Sequence, residues 1–428
     1  MKTKRFAKVM LIWLVILLTA GGQTLLAQKQ ERQYNDRSPG YTIIAYYVPT
    51  YHAEPRNEKL YGPGWTEWEV IKWACPRFKG HNQPRVPLWG YEDESDPKVM
   101  AKKIDTAAKY GVDVLVFDWY YYDDGPYMWR ALDEGFLKAT NNDKVKFALM
   151  WANHDMPDMW PAKFYESYPN FKVLFPGNVT RETFDKIVDE IIEKYFKHPS
   201  YWLIDGCPYF SIYDLDTLVK GLGGLEKTKQ ALNNFRAKTK VAGFPDLHLN
   251  VILRQDYILT KGGTLVLSED MNSQSIDDQN ELALTFGLNS LGSYTWIHHV
   301  SLPNFPQTPY KYVMEKAVEH WNNTAEKFNL PYHLNVTCGW DSTPRVCSTN
   351  MYVKSGYPYL PTISGNTPEA FKNALVKAKE FLDKQGGTNK VLSINSWNEW
   401  AEGSYLEPDT VNGFGYLKAI NEVFGGRE

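Results

Sequence analysis

Apolar residues recur along this chain in eight short, nearly continuous runs. The first four are TIIAYYVP (42–49), DVLVFDWYY (113–121), KFALMWANH (146–154) and PYFSIYD (208–214). LHLNVILR (247–254), SLGSYTWI (290–297), HLNVTCGW (333–340) and KVLSINSWNEW (390–400) complete the set. Unbroken runs, rather than strict alternation, are the mark of strands covered on both faces. Between them the apolar period lengthens to that of helices. Residues 96–111 open on Asp96 and Pro97 and stop at Gly111, a cap, a first-turn proline and a terminating glycine. Residues 181–196 align Phe184, Ile187, Val188, Ile191, Ile192 and Tyr195 on one stripe, and residues 366–387 repeat the first design with Thr367, Pro368 and Gly386. Strand and helix in alternation predict parallel βα units, and eight of them predict a closed (β/α)8 barrel. The first βα connection, from Thr50 to about Asp96, is long and carries Trp65, Trp68, Trp73 and Trp89, which suits a lid or rim.

Composition then narrows the chemistry. Net charge is −3 and aromatic content is 15%. Without a long basic run, nucleic acid is excluded as a partner, whereas surplus rings suit either a large core or stacking against sugars. At the N-terminus, Lys2, Lys4, Arg5 and Lys8 precede an apolar run from Val9 to Ala20. That pattern predicts a signal peptide over residues 1–27, a polar segment over 28–40 and one catalytic domain over 41–428. No cysteine stands at the cleavage region for lipid attachment, and the run is short for a spanning helix. A periplasmic or secreted protein without stable membrane insertion follows. The four cysteines, Cys75, Cys207, Cys338 and Cys347, fit no zinc pattern; Cys338 and Cys347 either pair or remain separate thiols.

In a barrel of this kind, chemistry collects at the C-terminal strand ends. There the chain offers Tyr46 and His52, Asp118 and Trp119, Trp151, Asn153 and His154, Trp296, Trp340, Asp341 and Arg345, and Asn398. Asp118 reads equally as an acceptor for a substrate hydroxyl or as a partner for a nearby base. The last run ends in NSWNEWAEGSYLEPD (395–409), where Glu399 and Glu402 lie three residues apart. On a strand such residues face opposite ways, so both reach one pocket only if the strand ends near Glu399 and the chain turns, as Gly403 permits. Two carboxyls in unlike environments divide the proton transfers of glycoside hydrolysis. Glu407, close behind, suits a loop cap or an arginine partner. No nucleotide loop, GxSxG elbow or HExxH motif is present, and His298-His299 lacks a third ligand at metal-binding spacing. Neither cofactor nor metal is implied.

YYVPTYH (46–52), GPGWTEWEVIKWACPRFKGHNQP (62–84), FDWYYY (117–122), MWAN (150–153), GWDSTPR (339–345) and WNEWAEGSYLEPD (397–409) together resemble the WbsX-type, glycoside hydrolase family 99-like proteins. The resemblance implies a (β/α)8 barrel and, through family 99, a retaining endo-α-mannosidase-related glycosidase acting on an oligosaccharide or polysaccharide. By that likeness Glu399 is the base towards the substrate 2-hydroxyl, with an epoxide-like intermediate, and Glu402 is the general acid and then base. Trp65, Glu67 and His81 join the sugar-binding candidates. The chain departs from the family at WANHDM (151–156), where many relatives read WANENW, so mannose is not carried over. A non-catalytic glycan-binding barrel and a glycosyltransferase remain as alternatives.

Overall fold

The computed structural model describes residues 40–162, 166–254, 257–259, 279–387 and 389–425. The predicted signal peptide and almost all of the polar segment lie outside them. Each of the eight apolar runs supplies one strand: β1 (Tyr41–Tyr47), β2 (Val114–Tyr122), β3 (Lys146–Trp151), β4 (Cys207–Ile212), β5 (His248–Ile252), β6 (Ser290–Gly292), β7 (Tyr332–Thr337) and β8 (Lys390–Asn395). Each strand pairs in parallel with the next, and β8 pairs with β1 to close the ring. The chain therefore folds as a (β/α)8 barrel.

Local chemistry accounts for the helices. In the helix Pro97–Tyr110, Asp96 accepts a hydrogen bond from the Lys98 amide at 2.8 Å, and Gly111 ends the helix at φ +95°. Thr367 caps the helix Pro368–Gln385 through the Ala370 amide at 3.2 Å. The predicted stripe on Arg181–Glu190, and on the wider π-type turn Ile191–Phe196 that continues it, is buried against the strands.

Two strand ends differ from expectation. The sixth strand stops at Gly292, and Trp296–His298 forms a short 3-10 turn. The eighth stops at Asn395; a separate hairpin follows, β9 (Asn398–Glu399) and β10 (Ser404–Tyr405). Its tip, Trp400–Glu402, is a 3-10 turn closed by Gly403 at φ +63°. The early stop is what frees Glu399 and Glu402 from strand alternation. The long first connection contains the helices Pro55–Tyr61 and Trp68–Lys72. Cys75, Cys207, Cys338 and Cys347 are all free thiols.

Candidate active site

Arg345 gathers three acids from two segments of the chain. Its side chain is 6% exposed. Nε and Nη2 donate to Glu67 Oε1 at 2.9 and 2.7 Å, Nη2 to Glu399 Oε1 at 3.0 Å, and Nη1 to Glu402 Oε1 at 2.6 Å. Tyr357 Oη also donates to Glu402 Oε1 at 2.8 Å and accepts from Arg345 Nη1. Three buried carboxyls thus face one guanidinium, an imbalance that binding a proton relieves.

The shifts agree with that count. Burial pushes the Glu399 carboxyl well above the usual range; Arg345 opposes this, while Glu402, Glu67 and Asp118 add to it. Burial also raises Glu402, less strongly, against Arg345 and the Tyr357 hydrogen bond. Glu402 is the more accessible of the two, its side chain 12% exposed against 6% for Glu399. Asp118 shares their field without touching them: burial drives it well above the usual range, the Tyr294 hydrogen bond at 2.9 Å opposes, and Glu402 adds. One oxygen of Asp118, Oδ1, is buried without a protein partner.

The hairpin is rigidly seated. Glu399 N donates to Ser396 Oγ at 2.7 Å and Trp400 N to Tyr51 Oη at 3.2 Å. Trp397 and Trp400 direct their indole nitrogens onto Glu407 at 2.9 and 2.8 Å. Glu407 also meets Lys103 Nζ at 2.6 Å, so its partners are a lysine and two indoles rather than an arginine. Asn398 clamps the hairpin to the end of β1, accepting from the Val48 N–H and donating to the Val48 carbonyl, each at 2.8 Å. It also donates to Glu94 at 2.7 Å, so its side-chain amide is engaged in holding the fold.

Several other predicted sugar contacts are placed elsewhere. Trp119 and Trp151 alternate outward from Asp118 and its neighbours and pack against Tyr195 and Phe184 of the surrounding helices. Trp296 is fully buried beside Tyr310 and Trp321, its indole donating to the Asn335 carbonyl at 2.8 Å. Asn153 exchanges hydrogen bonds with the Asp214 backbone at 2.7 and 2.9 Å. Asp341 is fully buried and accepts from His81, Gln83, Arg85 and Thr343, which holds it well below the usual carboxylate range against its burial. His81 and Asp341 therefore form a layer behind the turn, tied to it by Asp341 N donating to the Glu402 carbonyl at 2.6 Å. His52 is buried near Arg130 and Asp93 and pushed down to about 4 by burial. Trp65 belongs to an aromatic cluster with Tyr61 and Trp160.

Of the remaining candidates, Tyr46 lies within the barrel, donating to the Ser293 carbonyl at 3.1 Å with its ring 4.7 Å from Tyr294. Trp340 is buried with its ring 6.2 Å from Tyr357. His154 meets Tyr120 and Tyr213 edge-on, and Tyr213 hydrogen-bonds His298 at 3.3 Å. Burial lowers both histidines, His298 to about 3, which favours their neutral forms. Tyr294 and Tyr357 escaped the sequence reading. Tyr294 lies past the end of β6, where alternation from Trp296 would have put both rings on one face, and Tyr357 lies in an irregular loop; neither gave a signal. Among the described residues no His, Cys, Asp or Glu cluster is arranged to hold a metal ion.

The family model described as Glycosyltransferase WbsX matches residues 43–420. A protein of Xanthomonas campestris pv. campestris (strain B100), WxcX, is 23% identical over 384 residues, covering 89% of this chain and 49% of its own length. The chain thus spans about half the length of the curated relatives it matches. Among solved structures, the GH99 endo-alpha-mannosidase from Bacteroides thetaiotaomicron aligns with TM-score 0.50 and 14% identity, over 89% of this chain and 95% of its own. A chain described as a glycoside hydrolase-like protein gives TM-score 0.55 and 15% identity, over 91% and 95%. At such identities the likeness is one of fold.

Proposed function

The chain belongs to the WbsX family, and on that premise we propose that it is a glycoside hydrolase that cleaves α-linked glycans with retention. The observation that carries this reading is the single buried guanidinium holding Glu399 and Glu402 together. Glu402, raised by burial and the more exposed of the pair, holds a proton where a leaving oxygen can take it. The division of roles follows the family likeness and the greater exposure of Glu402, against the order of the shifts, which raise Glu399 further. Glu399, once ionised with Arg345 as its counter-charge, removes the proton from the substrate 2-hydroxyl. In a sugar whose O2 lies trans to the glycosidic bond, O2 then attacks the anomeric carbon from the opposite face as that bond breaks, giving a 1,2-anhydro sugar and a departing alcohol. Water opens that ring, passing its proton to Glu402, while Glu399 returns its proton to O2. Two inversions leave the configuration retained. Asp118, in the same electrostatic field, keeps one buried oxygen without a protein partner, which a sugar hydroxyl would satisfy.

Export through residues 1–27 belongs to this proposal and supports hydrolysis, because nucleotide-sugar donors are cytoplasmic. No helix among the described residues is long and apolar enough to cross a membrane. The family's description favours a second reading, glycosyl transfer from a sugar nucleotide. Both are tested by incubating the protein with α-linked oligosaccharides, with and without sugar nucleotides, and following products by proton NMR. Hydrolysis without a nucleotide, with the α-anomer released first, is the expected result. Glu402→Gln should lower turnover by about 10²–10⁴-fold with unchanged thermal unfolding. Nucleotide-dependent transfer, or undiminished hydrolysis by the variant, would refute the proposal.

A further inference from the structure

A cavity of about 340 Å³ opens on the far side of Asp341. Its volume lies in the range of about 300–1,000 Å³ typical of small-molecule sites. Polar side chains line it, among them Asn82, Arg85, Gln307, Ser364 and Asn366. None of Glu67, Arg345, Glu399 and Glu402 does. Gln307 and Ser364 sit on a short parallel pair, Gln307–Pro309 with Thr362–Ser364, so this wall is built on paired backbone.

A run of rings extends from His81, which lies in the cavity wall. Phe78 stacks on His81 at 4.3 Å and 12°, and on Tyr352 at 6.0 Å and 25°. Phe305 follows, 4.9 Å from Tyr352. His81 and Gln307, both in the cavity wall, lie close in sequence to Phe78 and Phe305. Phe305 is 38% exposed, which leaves an aromatic face open beside polar groups.

The charges around the cavity are already answered. Arg85 donates to the Gly403 carbonyl at 2.9 Å and lies 3.4 Å from Asp341. Asp341 also accepts from His81 at 2.8 Å. Asp409 accepts from Tyr405 Oη at 2.8 Å and from the Val411 amide at 2.9 Å. An ionic ligand gains little from compensated charges, whereas a molecule with hydroxyls on its edges and apolar ring faces matches both the amides and the rings.

We propose that this cavity and the adjoining run of rings form a second saccharide-binding subsite, which holds a neutral stretch of polysaccharide outside the barrel mouth. Its ligand class rests on the glycosidase reading. The loop bearing Tyr352 also brings Tyr357 to Glu402, so a chain held on these rings runs beside the segment that closes the reactive carboxyl.

Affinity electrophoresis tests the subsite, using Glu402→Gln protein in gels containing α-mannan, dextran or amylopectin. Retardation is expected in at least one gel. Adding Phe305→Ala and Asn82→Ala, both at exposed positions, should weaken apparent binding about tenfold, while Phe305→Trp should preserve it. Thermal unfolding checks that each variant folds; Asn82→Ala alone serves if the double change does not. Absence of retardation in every gel, or retardation indifferent to these changes, overturns the subsite. Retardation lost with Phe305, in a chain whose wild type hydrolyses no α-linked glycan with O2 trans to the bond, α-mannan included, would keep the subsite and sink the glycosidase reading. Hydrolysis with Phe305 and Asn82 immaterial would do the reverse.

Discussion

At the residue scale, Arg345 decides how the acids behave. Its cation favours the ionised forms of Glu399 and Glu402, opposing burial and mutual repulsion. The coupled pair sets apparent titrations that belong to both groups. Rate falls on the acid side as the base is protonated and on the alkaline side as the acid loses its proton. Removing the cation makes deprotonation harder, so Arg345→Met should move the acid limb of the rate profile to higher pH by about one unit or more. Arg345→Lys, keeping the charge, should move it less. A profile of initial rate against pH checks this, and an unmoved limb in Arg345→Met would deny the guanidinium its role. The sequence supplied Glu67, Arg345, Glu399 and Glu402 as candidates, but not the guanidinium as the hub that joins them. It counted Trp119 and Trp151 as sugar contacts because composition does not say which face of a strand a ring takes; alternation does, and it sends both to the helices. Trp296 lies past the end of β6, in a 3-10 turn that seats it against Tyr310 and Trp321.

At the scale of elements, the hairpin β9–β10 and the helix Pro97–Tyr110 carry the argument. Gly403 turns the chain at φ +63°, and a Cβ there would stand 2.8 Å from Asp341 Cβ and 2.9 Å from Arg85 Nη1. Both backbone and packing therefore demand glycine. Gly403→Ala should displace Glu402 and lower turnover about tenfold or more, since small misplacements of reacting groups are costly. A comparison of turnover with the unfolding midpoint separates that loss from general destabilisation. The helix buries Lys103 between Glu94 and Glu407, at 2.6 Å from each. Lys103→Met would leave two buried carboxyls without their cation and should cost about 3–5 kcal/mol, measured by urea denaturation. The helix itself was legible from its cap, proline and glycine; the lysine on its apolar stripe is explained only by acids brought from elsewhere in the chain.

At the scale of the whole molecule, closure of β8 on β1 makes the site, because it sets the last strand's hairpin beside the first connection that supplies Glu67. Eight apolar runs were enough to foresee the ring. Strand ends were less legible, since local turn geometry at Gly292 and Asn395 prevailed over apolar patterning that continued past both. The central claim is that Glu399 and Glu402 work as one proton-exchanging unit on a glycosidic bond. Turnover of an α-linked oligosaccharide by wild type, Glu399→Gln, Glu402→Gln and the double variant tests it most directly. Residues acting as a unit are not additive, so the double variant should be about as slow as the slower single one. Losses that multiply, or a single variant that turns over like wild type, would contradict the account.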